Sequence, residues 1–242
     1  MIQRKIFCFW TGDNEIPEIR RRGVESLADS GLEVVLITNR NLHEFIPQEK
    51  LHPAYYALNL AHRADYLRAY FMHHFGGAYC DIKPLTSSWI ATIEQLENNK
   101  FLLAAGYPEV GRWGVGNCYQ SAILLNEGGI FNKLYYYVKY RFLQLNYTKL
   151  IGNGAFIFKP KTCITQAWWN ELNSRLDKLH DKLLAHPAKY PKERMGHVYD
   201  GVVSQYPVPW SYLLGDILAP IILKHSSKVL KNLPPPSFEN YE

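Results

Sequence analysis

Apolar residues change period several times over residues 1–90, and each change marks an element. Lys5 to Trp10 is β-branched and aromatic and breaks at Thr11-Gly12-Asp13-Asn14, which predicts a strand closing in a turn. Pro17 stands where a helix would begin and Gly31 where it would end. Val34-Val35-Leu36-Ile37 is a continuous apolar run before Asn39, as expected of a strand buried on both faces. From about Ala57 to His74 the spacing turns helical, with Leu60, Ala64, Leu67 and Phe71 on one face. Gly76-Gly77 stops that helix, and Ala78-Tyr79-Cys80-Asp81 predicts a short strand closed by Pro84.

This alternation predicts an α/β fold with a mostly parallel sheet flanked by helices. The rest of the chain is less regular. Phe101 to Ala105, Ser121 to Leu125 and Ala155 to Phe158 read as strands. Phe131, Leu134, Tyr135, Val138, Phe142 and Leu145 form a helical stripe, and Leu172, Leu176, Leu179 and Leu183 form another behind a cap at Thr165. Residues 186–209, with four prolines, read as loop, and Pro234-Pro235-Pro236 opens a tail not expected to fold alone. The expected organisation is one domain over 1–230, with 1–90 as one half, 91–230 as the other, and a tail over 231–242.

Composition narrows the function. The chain has 242 residues, 47% hydrophobic and 20% charged, so a disordered or low-complexity protein is excluded. No apolar run reaches the roughly 18 residues a membrane span needs. The basic start precedes too short an apolar stretch for a signal peptide, and Asp13 and Glu15 follow directly. Cys8, Cys80, Cys118 and Cys163 are widely spaced singles, which argues against a disulfide framework or zinc site and points to a reducing cytoplasm. Glycine patterns for dinucleotides and P-loops are missing, as is the hydrolase elbow. A net charge of only +5 with no known nucleic-acid-binding motif speaks against nucleic acid.

In an open α/β sheet, ligands sit beyond the carboxyl ends of the strands, which singles out the loops after Trp10 and Ile37 and the segment at Asp81. Asp65 and Arg68 share a helix face three residues apart. Such a pair is ordinarily a surface ion pair worth ~0–1 kcal/mol. Followed by two glycines and a strand ending in an acid, it also suits a carboxylate binding sugar hydroxyls beside a guanidinium binding phosphate.

Ala64-Asp65-Tyr66-Leu67-Arg68 with Gly76-Gly77-Ala78-Tyr79-Cys80-Asp81-Ile82-Lys83 resembles the sugar-binding region of the Asp-X-Asp glycosyltransferases: family 32, the bacterial capsular-polysaccharide sugar transferases and the large clostridial glucosylating toxins. The opening strand to Trp10-Thr11-Gly12 is similar to the family's start, while Gly116-Asn117 and Gly152-Asn153-Gly154 resemble later signposts more faintly. The resemblance implies a GT-A-like (Rossmann-like) fold with a less regular acceptor-side half over 91–230. It also implies retaining transfer from a nucleotide-sugar donor, a UDP-sugar before a GDP-sugar, to a cell-surface polysaccharide or lipopolysaccharide. Alternatives are transfer to a protein and a catalytically silent sugar-nucleotide binder.

By the same resemblance the donor-binding residues would be Trp10, Thr11, Asp65, Arg68, Gly76, Gly77, Asp81, Lys83, Asn117 and Asn153, joined by Trp210 and Ser211 from a late Pro-bounded segment. No catalytic base declares itself, and front-face attack requires none. Lys83 stands where the family's second motif acid belongs. Three readings stay open: Asp81 holds Mn²⁺ or Mg²⁺ with help from Asp216 or His225, the Lys83 ammonium offsets the diphosphate without metal, or the site only binds. The aromatic and basic run from Tyr135 to Phe142 could rest on an anionic membrane, placing the protein at its inner face.

Overall fold

The computed structural model describes residues 2–126 and 128–239. In chain order the elements begin with β1 (Lys5–Trp10), α1 (Glu18–Ser26), β2 (Glu33–Thr38), α2 (Leu42–Phe45), α3 (Leu60–His74), β3 (Gly77–Cys80), α4 (Ile90–Asn98) and β4 (Ala104–Pro108). They continue with α5 (Cys118–Leu124), α6 (Ile130–Leu145), β5 (Ile151–Phe158), α7 (Cys163–Ala185), β6 (Val198–Tyr199), β7 (Val202–Val203), α8 (Gly215–Lys224) and β8 (Val229–Leu230).

Six strands form one sheet in the order β2-β1-β3-β5-β4-β8. β1 pairs in parallel with β2 and β3, and β4 in parallel with β8, while β5 lies antiparallel between β3 and β4. The sheet is therefore mostly parallel, with β5 reversed. Its alternation separates two cores. Phe7, Phe9, Tyr79, Phe156 and Phe158 face the layer holding α3, α7 and α8. Ile6, Cys8, Ala78, Cys80 and Ile157 face the opposite layer with Trp89, Ile93 and Leu96 around α4.

Local chemistry sets the helix ends. Asn59 caps α3 by accepting from the His62 amide, and Gly76 and Gly77, at φ 66° and 93°, make the turn into β3 that a side chain would resist. The α7 cap is Thr162 rather than Thr165. Thr165 sits at the third helical position and closes a capping box with Thr162.

Other boundaries differ from the sequence reading. Ser121–Leu125 is not a strand: Asn117 caps a helix there by accepting from the Gln120 amide. The strand expected from Phe101 starts at Ala104, because Asn99 turns the chain by accepting from the Phe101 amide. The stretch 186–209 contains the β6–β7 hairpin, turned at Asp200-Gly201 with both residues at positive φ. From Leu233 the chain lies against the sheet's α4 side: Leu233 is buried, Trp89 Nε1 donates to the Pro234 carbonyl (3.1 Å), and the Ser237 amide donates to Pro84 (2.8 Å). Residues 240–242 of the expected tail lie outside the described residues.

Candidate functional site

A cleft of about 1030 Å³ opens beyond the carboxyl ends of β1 and β3. Its floor is the first half of α3 and the end of β3, and its walls are the turn after β1, residues 113–117, residues 191–197 and residues 209–215. The loop after β2 braces this cleft: Asn39 Nδ2 donates to the Thr11 carbonyl and to Asp13 Oδ1, each at 2.9 Å.

At the floor Arg68 joins the two motif acids. Its Nη1 donates to Asp65 Oδ1 (3.0 Å) and its Nη2 to Asp81 Oδ1 (2.8 Å). Tyr79 Oη donates to the same Asp81 oxygen (2.6 Å), and the guanidinium lies 4.6 Å from the Tyr79 ring centre. Lys83 Nζ is 3.5 Å from the other Asp81 oxygen, Oδ2. Burial lifts the Asp65 carboxyl, Arg68 pulls it back and Asp81 adds to the rise, which leaves it at about 7. Burial alone would lower the Arg68 pKa, but Tyr79, Asp81 and Asp65 outweigh it and hold the guanidinium charged. Arg68 Nε is buried without a hydrogen-bond partner.

Trp10 lies in the wall half-buried, its Nε1 donating to the Asn14 carbonyl (2.9 Å). Thr11 is buried beside it, with Oγ1 3.4 Å from the Leu60 carbonyl. Across the cleft, the Asn117 amide donates to Ser211 Oγ (3.2 Å), and Asn153 of β5 lines the wall. Trp210 is held by His62, which burial lowers to about 4 and keeps neutral. Its Nε2 faces the Trp210 carbonyl (3.2 Å), so that nitrogen carries the proton, and Nδ1 accepts from Tyr206 Oη (2.8 Å).

Not every residue singled out in the sequence reaches this cleft. Gly76 and Gly77 lie at the opposite end of β3 from Asp81, close to Pro160 and to the Gln3 and Lys5 carbonyls. Lys83 is buried behind Asp81, its ammonium 4.6 Å from the Phe238 ring centre. Asp216 is buried in the first turn of α8 and accepts from Ser121 Oγ (2.6 Å), with burial raising its pKa. His225 ends α8, about 13 Å along the helix from Asp216.

A divalent cation at Asp81 would meet like charge on both sides. Both Asp81 oxygens already face cations, Arg68 and Lys83, and a third positive charge would have to displace them. Among the described residues, no three His, Cys, Asp or Glu side chains gather as metal ligands.

The structure also brings in residues that the motif reading passed over. Arg20 reaches the cleft from α1, and Arg194 lies 4.1 Å over the Trp210 ring. Lys192 and Trp113 line it as well. These arrive from three distant segments, so no local spacing could have announced them. Tyr79 is inside the quoted motif, yet its phenol bond to Asp81 depends on strand geometry. Together the cleft offers indole faces, amides and an excess of basic over acidic side chains. That set suits a ligand combining a flat ring, hydroxyls and anionic groups.

Residues 1–111 are similar to the capsular polysaccharide synthesis protein family. The matched segment is a little under half of the 242 residues. It runs from β1 through β4 and carries Trp10, Asp65, Arg68 and Asp81, the side of the cleft built by the strand ends. The similarity supports a part in capsular polysaccharide synthesis, consistent with a glycosyltransferase-like role. Comparison with curated proteins and with solved structures found no match.

Proposed function

We propose that the protein is a glycosyltransferase of capsular polysaccharide synthesis, with a GT-A-like fold, that binds a nucleotide-sugar in this cleft. The donor is a UDP-sugar in preference to a GDP-sugar, and the acceptor is a surface glycan or glycolipid. The observation that carries the reading is the Arg68 fork between Asp65 and Asp81 on the floor of a cleft walled by Trp10. Trp10 supplies a face for the base. Asp65 and Asp81 accept hydroxyl hydrogen bonds, and Arg68 and Arg194 offset diphosphate charge.

In the retaining reaction, the bond between the anomeric carbon and the diphosphate oxygen breaks, and the diphosphate leaves with the electron pair. The acceptor oxygen bonds to the same face of that carbon and passes its proton to the leaving oxygen. The protein's part is positioning and charge stabilisation, so no protein nucleophile is consumed. With both Asp81 oxygens facing cations, the arginines rather than a bound metal carry the charge balance.

Thermal-shift screening with UDP-, GDP-, CMP- and dTDP-sugars tests the donor, since stabilisation follows the ratio of ligand to Kd. A UDP-sugar raises Tm with excess chelator present, and Asp65→Ala and Asp81→Ala each lose that shift and abolish transfer while staying folded. If no nucleotide shifts the protein, or either variant turns over like wild type, the reading fails. The engaged Asp81 carboxylate also favours a second reading, a catalytically silent binder. Nucleotide-induced stabilisation with neither transfer nor donor hydrolysis would select it.

A further inference from the structure

An amphipathic helix ordinarily turns its apolar stripe inward. α6 does the reverse. Tyr136, Tyr140 and Leu143 face the core, whereas Phe131, Leu134, Tyr135, Val138, Phe142 and Leu145 face outward. Phe131 and Leu145, near the two ends of that stripe, are 85% and 78% exposed. The stripe runs the length of the 16-residue helix, about 24 Å. Beside it, the loop after β4 exposes Val110 and Trp113, the latter 71% exposed. Gln144, on the inner side of α6, ties this loop to the helix by donating to the Arg112 carbonyl (3.3 Å).

A contiguous apolar face of this extent marks an interaction surface. Charge selects the partner. At about 100° per residue, Arg141 and Lys139 flank the stripe on opposite sides. Residues 110–149 hold five basic side chains, Arg112, Lys133, Lys139, Arg141 and Lys149, against one acid, Glu127. A second copy seated on the same face would bring like-charged flanks together, whereas an anionic surface neutralises them. No helix among the described residues is long and apolar enough to cross a membrane, so α6 lies flat if it enters lipid.

We propose that the outward face of α6 seats the protein on an anionic lipid membrane. Tyr140, on the inner side of α6, and Trp113 also line the cleft, so the helix that carries the outward stripe backs the cleft. The surface alone carries this proposal, which therefore stands or falls separately from the identity of the donor.

Co-sedimentation with vesicles is the test, using phosphatidylcholine alone and phosphatidylcholine mixed with phosphatidylglycerol. Wild type binds the mixed vesicles, binds pure phosphatidylcholine weakly, and is released by salt. Val138→Glu with Phe142→Glu lowers binding at least about tenfold, and Lys139→Glu with Arg141→Glu lowers it to mixed vesicles selectively. Both double variants keep the wild-type Tm, since they change exposed or half-exposed positions. Three outcomes overturn the proposal: no wild-type binding to mixed vesicles, unchanged binding by Val138→Glu with Phe142→Glu, or a dimer in light scattering that this variant dissolves while vesicle binding is absent.

Discussion

Asp65 sits in an environment far from that of an ordinary carboxylate. It sits under the cleft with one guanidinium for company, and burial lifts its carboxyl to about 7. The folded protein therefore keeps a proton there that the unfolded chain releases from about pH 4 upward. Stability owed to this proton is present at acidic pH, declines as pH rises from about 4 to about 7, and is gone above that. Asp65→Asn keeps an oxygen for Arg68 without the ionisation. Its Tm relative to wild type is expected to climb across that window and level off above it, as differential scanning fluorimetry over a pH series would record. A difference independent of pH would show that Asp65 is already ionised in the folded state. Asp65, Arg68 and Asp81 were legible in the sequence because a helix turn and a short strand bring them together by local geometry. Arg20, Lys192 and Arg194 were not, because only the folded sheet carries α1 and residues 191–197 to the same cleft. Lys83 was legible as an anomaly, but its burial against Phe238 needs a contact across most of the chain.

Among the elements, the early strands and α3 follow from apolar period and glycine stops, whereas Ser121–Leu125 shows where period fails. So short an apolar run, Ala122 to Leu125, suits strand or helix equally, and the deciding signal was the Asn117 cap. The Asp200-Gly201 pair was likewise a usable hairpin signal inside a stretch that its prolines made look irregular. In α6 the stripe was plain in the sequence and its outward direction was not, since periodicity fixes a face without saying what it meets. The junction of α5 with α8 gives a sharper test. A Cβ on Gly116 would lie 2.3 Å from the Gly215 carbonyl carbon, backbone against backbone. Gly116→Ala must part the 113–117 loop from the start of α8, costing about 1–3 kcal/mol in denaturant unfolding. Nucleotide-sugar affinity should fall with it, because both segments wall the cleft. Wild-type stability in that variant would mean that the two backbones are not in contact.

The whole molecule is a sheet whose two covering layers are completed by late segments. Leu233 is 1% exposed within the α4-side core, and β8 pairs with β4 just before it. Leu233→Ala is expected to cost about 2–5 kcal/mol, read as a lower urea midpoint with unchanged slope. A loss below about 0.5 kcal/mol would place this segment outside the cooperative core. Strand order carries a separate consequence. β3 and β4 both fall within residues 1–111, yet they are not neighbours, because β5 lies between them and reaches both by antiparallel pairing. Excised alone, that stretch would present three strand edges unpaired, one on β3 and both on β4, where the intact protein has a continuous ladder, inviting edge-to-edge association. The stretch similar to the capsular polysaccharide synthesis family thus lacks the strand that completes its own sheet, and insertion or shuffling that separates it from residues 151–158 would split the sheet through its middle.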